Sequence, residues 1–150
     1  MGMRFEPLHL AAAIGVAFAE VIPPAKERIL HPSFASSQDA LELREAFGAR
    51  HWLELEPSML FHHREMILAL SGEAYCAFIA AYLVAALGDE ERTAGDLRHY
   101  LVASLGPAGE SAERLSRLNA RQRETIGRVL RYLSESRSMS LAAERLATWR

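Results

Sequence analysis

The chain has 150 residues, half of them hydrophobic and 24% charged, and its net charge is −2. This balance excludes a disordered polar chain and gives no general preference for nucleic acid or acidic lipid; the length suits one domain, which would bury roughly 68–70% of its unfolded surface. A single cysteine, Cys76, excludes an intramolecular disulfide and fits a reducing, cytoplasmic location.

Pro7 opens the first predicted helix, with Leu8, Leu10, Ala11, Ile14, Ala17, Phe18 and Val21 on one apolar face, and Pro23-Pro24 ends it. The uncharged stretch Leu8–Ala19, closed by Ala17-Phe18-Ala19, has the outline of a signal peptide. Arg4 is offset by Glu6, however, and Pro7 and His9 sit at the start of the run, so a buried first helix is expected. Residues 25–36 read as a loop holding Pro32 and Phe34. Ser36-Ser37-Gln38-Asp39 has capping-box spacing ahead of a short helix with Leu41, Leu43 and Phe47, stopped at Gly48. Residues 49–56 alternate Trp52, Leu53 and Leu55 with polar groups and read as a short extended piece without a partner strand.

Pro57 begins a helix predicted to reach Leu70, and Ser71 caps the next one. That next helix dominates the chain. Ala74–Leu87 is a run of 14 uncharged residues, and Tyr75, Phe78, Ile79, Tyr82, Leu83 and Leu87 share no single face. A helix apolar all round is buried on all sides. It falls short of the ~18–20 apolar residues that span a bilayer, so no membrane segment is expected. Cys76 inside it reads as a small hydrophobe.

Asp89–Arg92 is a polar link, Thr93 to Asp96 repeats the capping spacing before a helix through Leu105, and Gly106-Pro107-Ala108-Gly109 is the strongest break. Asn119 and Gln122 cap a long helix with the stripe Ile126, Val129, Leu130 and Leu133, and a last helix covers Leu141–Trp149. The fold expected is all-α: one domain over residues 1–150, six to seven helices around a buried central helix at about 73–87.

Several of these residues look familiar as a set: Phe47-Gly48 before Trp52-Leu53-Glu54-Leu55, then Leu68 to Tyr75, Phe78 to Leu83, Leu118-Asn119 with Gln122, and Ala143, Leu146 and Trp149 at the end. The order resembles a family of small bacterial all-helical proteins of unknown function, in which a tryptophan segment precedes a central helix of "yyLPAYL" type. The resemblance implies the helical fold and no assigned activity. Ala80 stands where that family often has proline, which implies a straighter central helix here.

Three constellations could carry function. On the predicted helix His62 and Glu65 are one turn apart and share a face, a spacing used by metal sites in helical bundles, and His63 adjoins them. Without a second such pair or an H-E-x-x-H, this is an alternative reading, a metal-dependent enzyme; no cofactor is expected. His63 itself falls among Met59, Met66, Ile67 and Leu70 and should point inward as a neutral core histidine. Charge supplies the second constellation. Residues 1–110 hold 8 Lys and Arg against 15 Asp and Glu, whereas residues 111–150 hold 9 Arg against 4 Glu. Part of the arginine set, Arg117, Arg121, Arg128 and Arg131, could form a nucleic-acid-binding stripe; a solvated face paired with the acidic remainder is the plainer reading. The third is Trp52 among Glu54 and Glu56, either a loop anchor or a binding anchor in a charged rim.

No phosphate loop, nucleophile elbow or CxxC is present. The preferred reading is a non-enzymatic bacterial protein-interaction module, with an immunity- or antitoxin-like protein as its specific form. Trp52, Glu54, Glu56, Glu42 and Glu45 would meet a protein partner, such as a basic toxin, and the sequence leaves a homodimer open.

Overall fold

The computed structural model describes residues 5–89, 94–106 and 110–149. Among them are eight α-helices: α1 (Phe5–Ala17), α2 (Gln38–Phe47), α3 (Pro57–His62), α4 (Gly72–Ala86), α5 (Asp96–Ser104), α6 (Glu110–Ser116), α7 (Ala120–Ser136) and α8 (Ser140–Thr148). The fold is all-α, as expected, and among the described residues the one α-helix not foreseen is the short α6.

The central position of α4 follows from its composition. Ala74, Ala77, Ala80, Ala81 and Ala86 alternate with Tyr75, Phe78, Ile79, Tyr82 and Leu83, and all ten are buried. The alanines let neighbouring helices approach, and each fully buried aromatic or leucine contributes roughly 1.5–3 kcal/mol. α1, α3, α5 and α6 pack around it. Ser71 caps it: its Oγ accepts from Ala74 N at 3.1 Å and donates to Arg28 O at 2.6 Å. The helix runs unbroken through Ala80.

α7 is amphipathic, and its apolar stripe Ile126, Val129, Leu130 and Leu133 is buried against α1 and α8. Its start is a reciprocal box: Gln122 N donates to Asn119 Oδ1 at 2.8 Å, and Asn119 N donates to Gln122 Oε1 at 3.0 Å. At the other end Trp149 folds back, its indole N–H donating to Arg123 O at 2.7 Å. The ring lies over Gly127, where an added Cβ would stand 3.1 Å from Trp149 Cδ1.

Several local expectations are corrected. α1 ends at Ala17, well before Pro23, and Leu8 is exposed while Leu10 and Ile14 are buried. Two helical steps turn a side chain by about 200°, so Leu8 and Leu10 cannot share a face. The cap of α2 is Ser37, whose Oγ accepts from Ala40 N, and not Ser36. After α2 the left-handed residue is Ala49, at φ 61°, one position beyond Gly48. The 49–56 segment is not extended but holds a 3-10 turn at Trp52–Glu54. The helix from Pro57 stops at His62, and a 3-10 stretch, Arg64–Ala69, replaces its continuation. Residues 25–36 hold two further 3-10 turns and are tied down by an isolated bridge between Leu30 and Leu70. The expected cap at Thr93, most of the polar link after Asp89 and the break at Pro107 to Gly109 lie outside the described residues.

Candidate functional site

The feature best suited to contact another molecule is an apolar groove of about 490 Å³. Four segments build it: Trp52 and Leu53 from the 3-10 turn, Phe61 from α3, Ala81 and Val84 from α4, and Leu97 from α5. A reciprocal box at His51 fixes the turn. Leu53 N donates to His51 Nδ1 at 3.1 Å, and His51 N donates to Glu54 Oε1 at 3.1 Å. A 3-10 turn sends successive side chains about 120° apart. Trp52 therefore turns inward, 5% exposed, with its indole N–H donating to Phe18 O at 3.0 Å, while Leu53 turns outward and is 71% exposed. Trp52 is thus a loop anchor whose ring also forms part of the groove.

Three arginines near the groove make bonds within the chain. Arg98, buried on α5, donates from Nε to Ala86 O at 2.7 Å and from Nη2 to Gly88 O, holding the last carbonyls of α4. Arg64 lies 4.0 Å over the Phe61 ring, donates to Phe61 O at 2.8 Å and pairs with Asp96 at 3.7 Å. Arg137 reaches Asp89 at 2.6 Å. In both pairs the cation is covered and the carboxylate faces solvent: Arg64 23% against Asp96 64%, and Arg137 21% against Asp89 95%.

Among the residues singled out from sequence, Trp52, Glu54 and Glu56 come together at this end, with both glutamates exposed. Glu42 and Glu45 are exposed on α2 and do not line the groove. Glu45 pairs with Lys26 and Arg44 instead, and the Lys26 hydrogen bond holds its carboxyl below the usual range.

His62, His63 and Glu65 are not assembled as a ligand set. The helix breaks at His63, which is buried with its ring 6.0 Å from Phe47 and 4.7 Å from His62. Burial, and then the neighbouring His62, lower its pKa, partly opposed by Glu42 and Asp39. Glu65 turns to α5 and accepts from Tyr100 Oη at 3.3 Å. Among the described residues no group of three His, Cys, Asp or Glu side chains has metal-binding geometry. Cys76 donates from Sγ to Arg114 O at 3.2 Å, and burial pushes its thiol up to about 11, which leaves it un-ionised at neutral pH.

The C-terminal arginines divide into two sets. Arg123 donates to Leu115 O at 2.6 Å, Arg145 donates to Val102 O at 3.2 Å, and Arg114 stacks 5.4 Å over Tyr75. These close the ends of α6 and α5 and the flank of α4. Arg117 pairs with Glu113 at 3.1 Å. Arg121, Arg128 and Arg131 are exposed on α7, but Glu124 and Glu135 are exposed on the same face, one turn from an arginine each. That face is mixed in charge rather than a continuous cationic stripe. Arg150 lies outside the described residues.

Phe61, Val84 and Leu97 were not singled out by sequence because each sits in an apolar pattern that core packing alone explains. Among the described residues no helix is long and apolar enough to cross a membrane. No protein-family model, curated protein or solved structure matches this chain.

Proposed function

We propose that the protein is a non-enzymatic interaction module whose contact surface is the groove beside Trp52. The observation that carries this reading is an open apolar groove, with Leu53 71% exposed at its lip and the indole N–H of Trp52 already bonded within the chain. Small-molecule sites need a few free, convergent polar groups to orient a ligand. Here the Trp52 indole N–H is spent on Phe18 and the Ala86 and Gly88 carbonyls on Arg98, so the groove offers shape and apolar area. Those suit side chains of a protein partner, whose own polar atoms stay at the rim. An immunity- or antitoxin-like role in bacterial cytoplasm is the specific form, supported by the acidic balance of residues 1–110.

The test is quantitative capture of partners from the host by wild-type protein and by a Leu53→Asp variant. Loss of a stoichiometric partner with Leu53→Asp but not with Arg128→Ala supports the reading. Equal recovery by both variants removes the groove as the contact surface.

A further inference from the structure

We infer that the outer face of α1 and α7 is where a second copy of this chain docks, antiparallel, about a two-fold axis. No residue of this face lines the groove beside Trp52, so the inference goes beyond that site. α1 carries no Lys, Arg, Asp or Glu between Glu6 and Glu20. A helix apolar on every side belongs inside a protein. α4 has that composition and is surrounded by α1, α3, α5 and α6, whereas α1 packs mainly on α4 and α7. Its remaining side is lined by Leu8, Ala12 and Val16, one turn apart each, with Leu8 67% and Val16 62% exposed. These side chains gain from burial only if another molecule covers them.

The charge on α7 selects the occupant. α7 runs antiparallel to α1: Gln122 Nε2 donates to Ala17 O at 3.3 Å near one end, and Leu8 shares a recess with Tyr132 and Ser136 near the other. Ala12 is therefore level with the middle of α7, close to Gly127 and Arg128. Arg121, Glu124, Arg128, Arg131 and Glu135 are exposed along the outer side of α7, and among the described residues no side chain of the five makes an ion pair or hydrogen bond. When a second copy is turned end for end about that midpoint, opposite charges meet. Arg121 lies against the other copy's Glu135, and Glu124 against its Arg131. The same axis passes through Ala12 on α1 and sets Leu8 against Val16. Two neighbouring helices, one apolar and one charged, thus share a centre of antiparallel symmetry, which is what an isologous contact requires. Arg128 alone conflicts, because it sits at the axis and faces its own copy. An anionic membrane surface fits less well, since Glu6, Glu20, Glu124 and Glu135 are exposed at the borders of the same face.

The experiment is sedimentation velocity of the full-length protein from about 1 to 100 μM at low and high salt. A contact one helix pair wide belongs with weak assemblies, so a monomer–dimer equilibrium inside this range is expected, about tenfold weaker at high salt. Val16→Asp, at an exposed position, should abolish the dimer with an unchanged melting temperature. Glu124→Arg should weaken it about tenfold by facing Arg131 of the other copy with a like charge. Glu124→Arg with Arg131→Glu should restore it. The two positions are two helical turns apart, about 10 Å, so the rescue arises across the axis and not within one helix. Arg128→Ala should tighten the dimer, because it removes a like-charge contact. A protein that stays monomeric at about 100 μM overturns the inference, whether or not vesicles of anionic phospholipid then bind through Val16. So does a dimer that ignores Val16→Asp or that the double charge reversal fails to restore. A dimer that dissolves in Leu53→Asp but not in Val16→Asp would assign the second copy to the groove and also overturn it.

Discussion

Tyr75 and Tyr82 lie two turns apart on one face of α4, and both are fully buried. The Tyr75 hydroxyl bonds Ser104 Oγ at 2.7 Å, and the Arg114 guanidinium covers its ring. The Tyr82 hydroxyl is buried with no hydrogen-bond partner among the described residues, and its ring packs 6.3 Å from Phe47. The same contrast separates the two ends of the helix. The amino-terminal end is capped by Ser71, and Cys76 is bonded to Arg114 O. The carboxy-terminal end borders an open groove and depends on Arg98 from another helix for its last carbonyls. Apolar burial holds both ends; the tyrosine hydroxyl is bonded at one and has no partner among the described residues at the other.

The sharpest way to break this contrast is Arg98→Met, which keeps the buried stem but removes its bonds to the Ala86 and Gly88 carbonyls, leaving Gly88 O only the 3.4 Å bond from Arg137. A loss of about 3 kcal/mol in urea unfolding is expected, since bonds from a charged donor contribute ~1.5–3 kcal/mol each and buried carbonyls are costly to orphan. A loss below about 1 kcal/mol would mean that α4 does not need the clamp. At the closed end, Tyr75→Phe should cost about 1 kcal/mol by removing the bond to Ser104. Tyr82→Phe should have the opposite sign, neutral to about 1 kcal/mol stabilising, because it removes a polar atom with nothing to bond. Two substitutions of equal sign and size would erase the distinction between the ends.

A smaller effect comes from His63, which packs against Phe47. Its folded pKa is lowered below 6.5, so the unfolded state binds the proton first as pH falls. Stability should therefore be unaffected by this group above about pH 7 and decline as pH drops through 6.5 toward the lower folded value. Denaturation of wild type and His63→Gln between pH 7.5 and 5 checks the sign: the variant should lose less. The smallest stability effect is expected at the groove lip, where Leu53→Asp should stay within about 0.5 kcal/mol, as surface substitutions do. A larger drop would make Leu53 part of the core.

How much of this was legible in the chain depends on the range of the interactions. The burial of α4 could be read because fourteen uncharged residues leave it no solvent face, and the Asn119–Gln122 box because it is local. The break at His63 could not: its backbone, at φ −103° and ψ 17°, is reached without a glycine or proline to signal it. Nor could Ala49 be foreseen as left-handed beside a glycine that was free to take that role. The arginines that bond backbone were not legible, for a different reason. Arg98, Arg123 and Arg145 bond backbone carbonyls on other helices, and a carbonyl has no residue identity to read. The groove was legible only at Trp52, because its other walls come from segments tens of residues apart and become a site only on folding.

The two tryptophans also give the protein a pair of built-in optical reporters. Each indole N–H is fixed on a backbone carbonyl, Trp52 at the groove and Trp149 over Gly127 on α7. Indole emission responds to nearby charge and water, so occupation of the groove should shift the Trp52 signal and leave Trp149 as an internal reference. A Trp149→Phe protein would then carry a single emitter set into the wall where a partner arrives, and docking could be followed in real time without attaching a label.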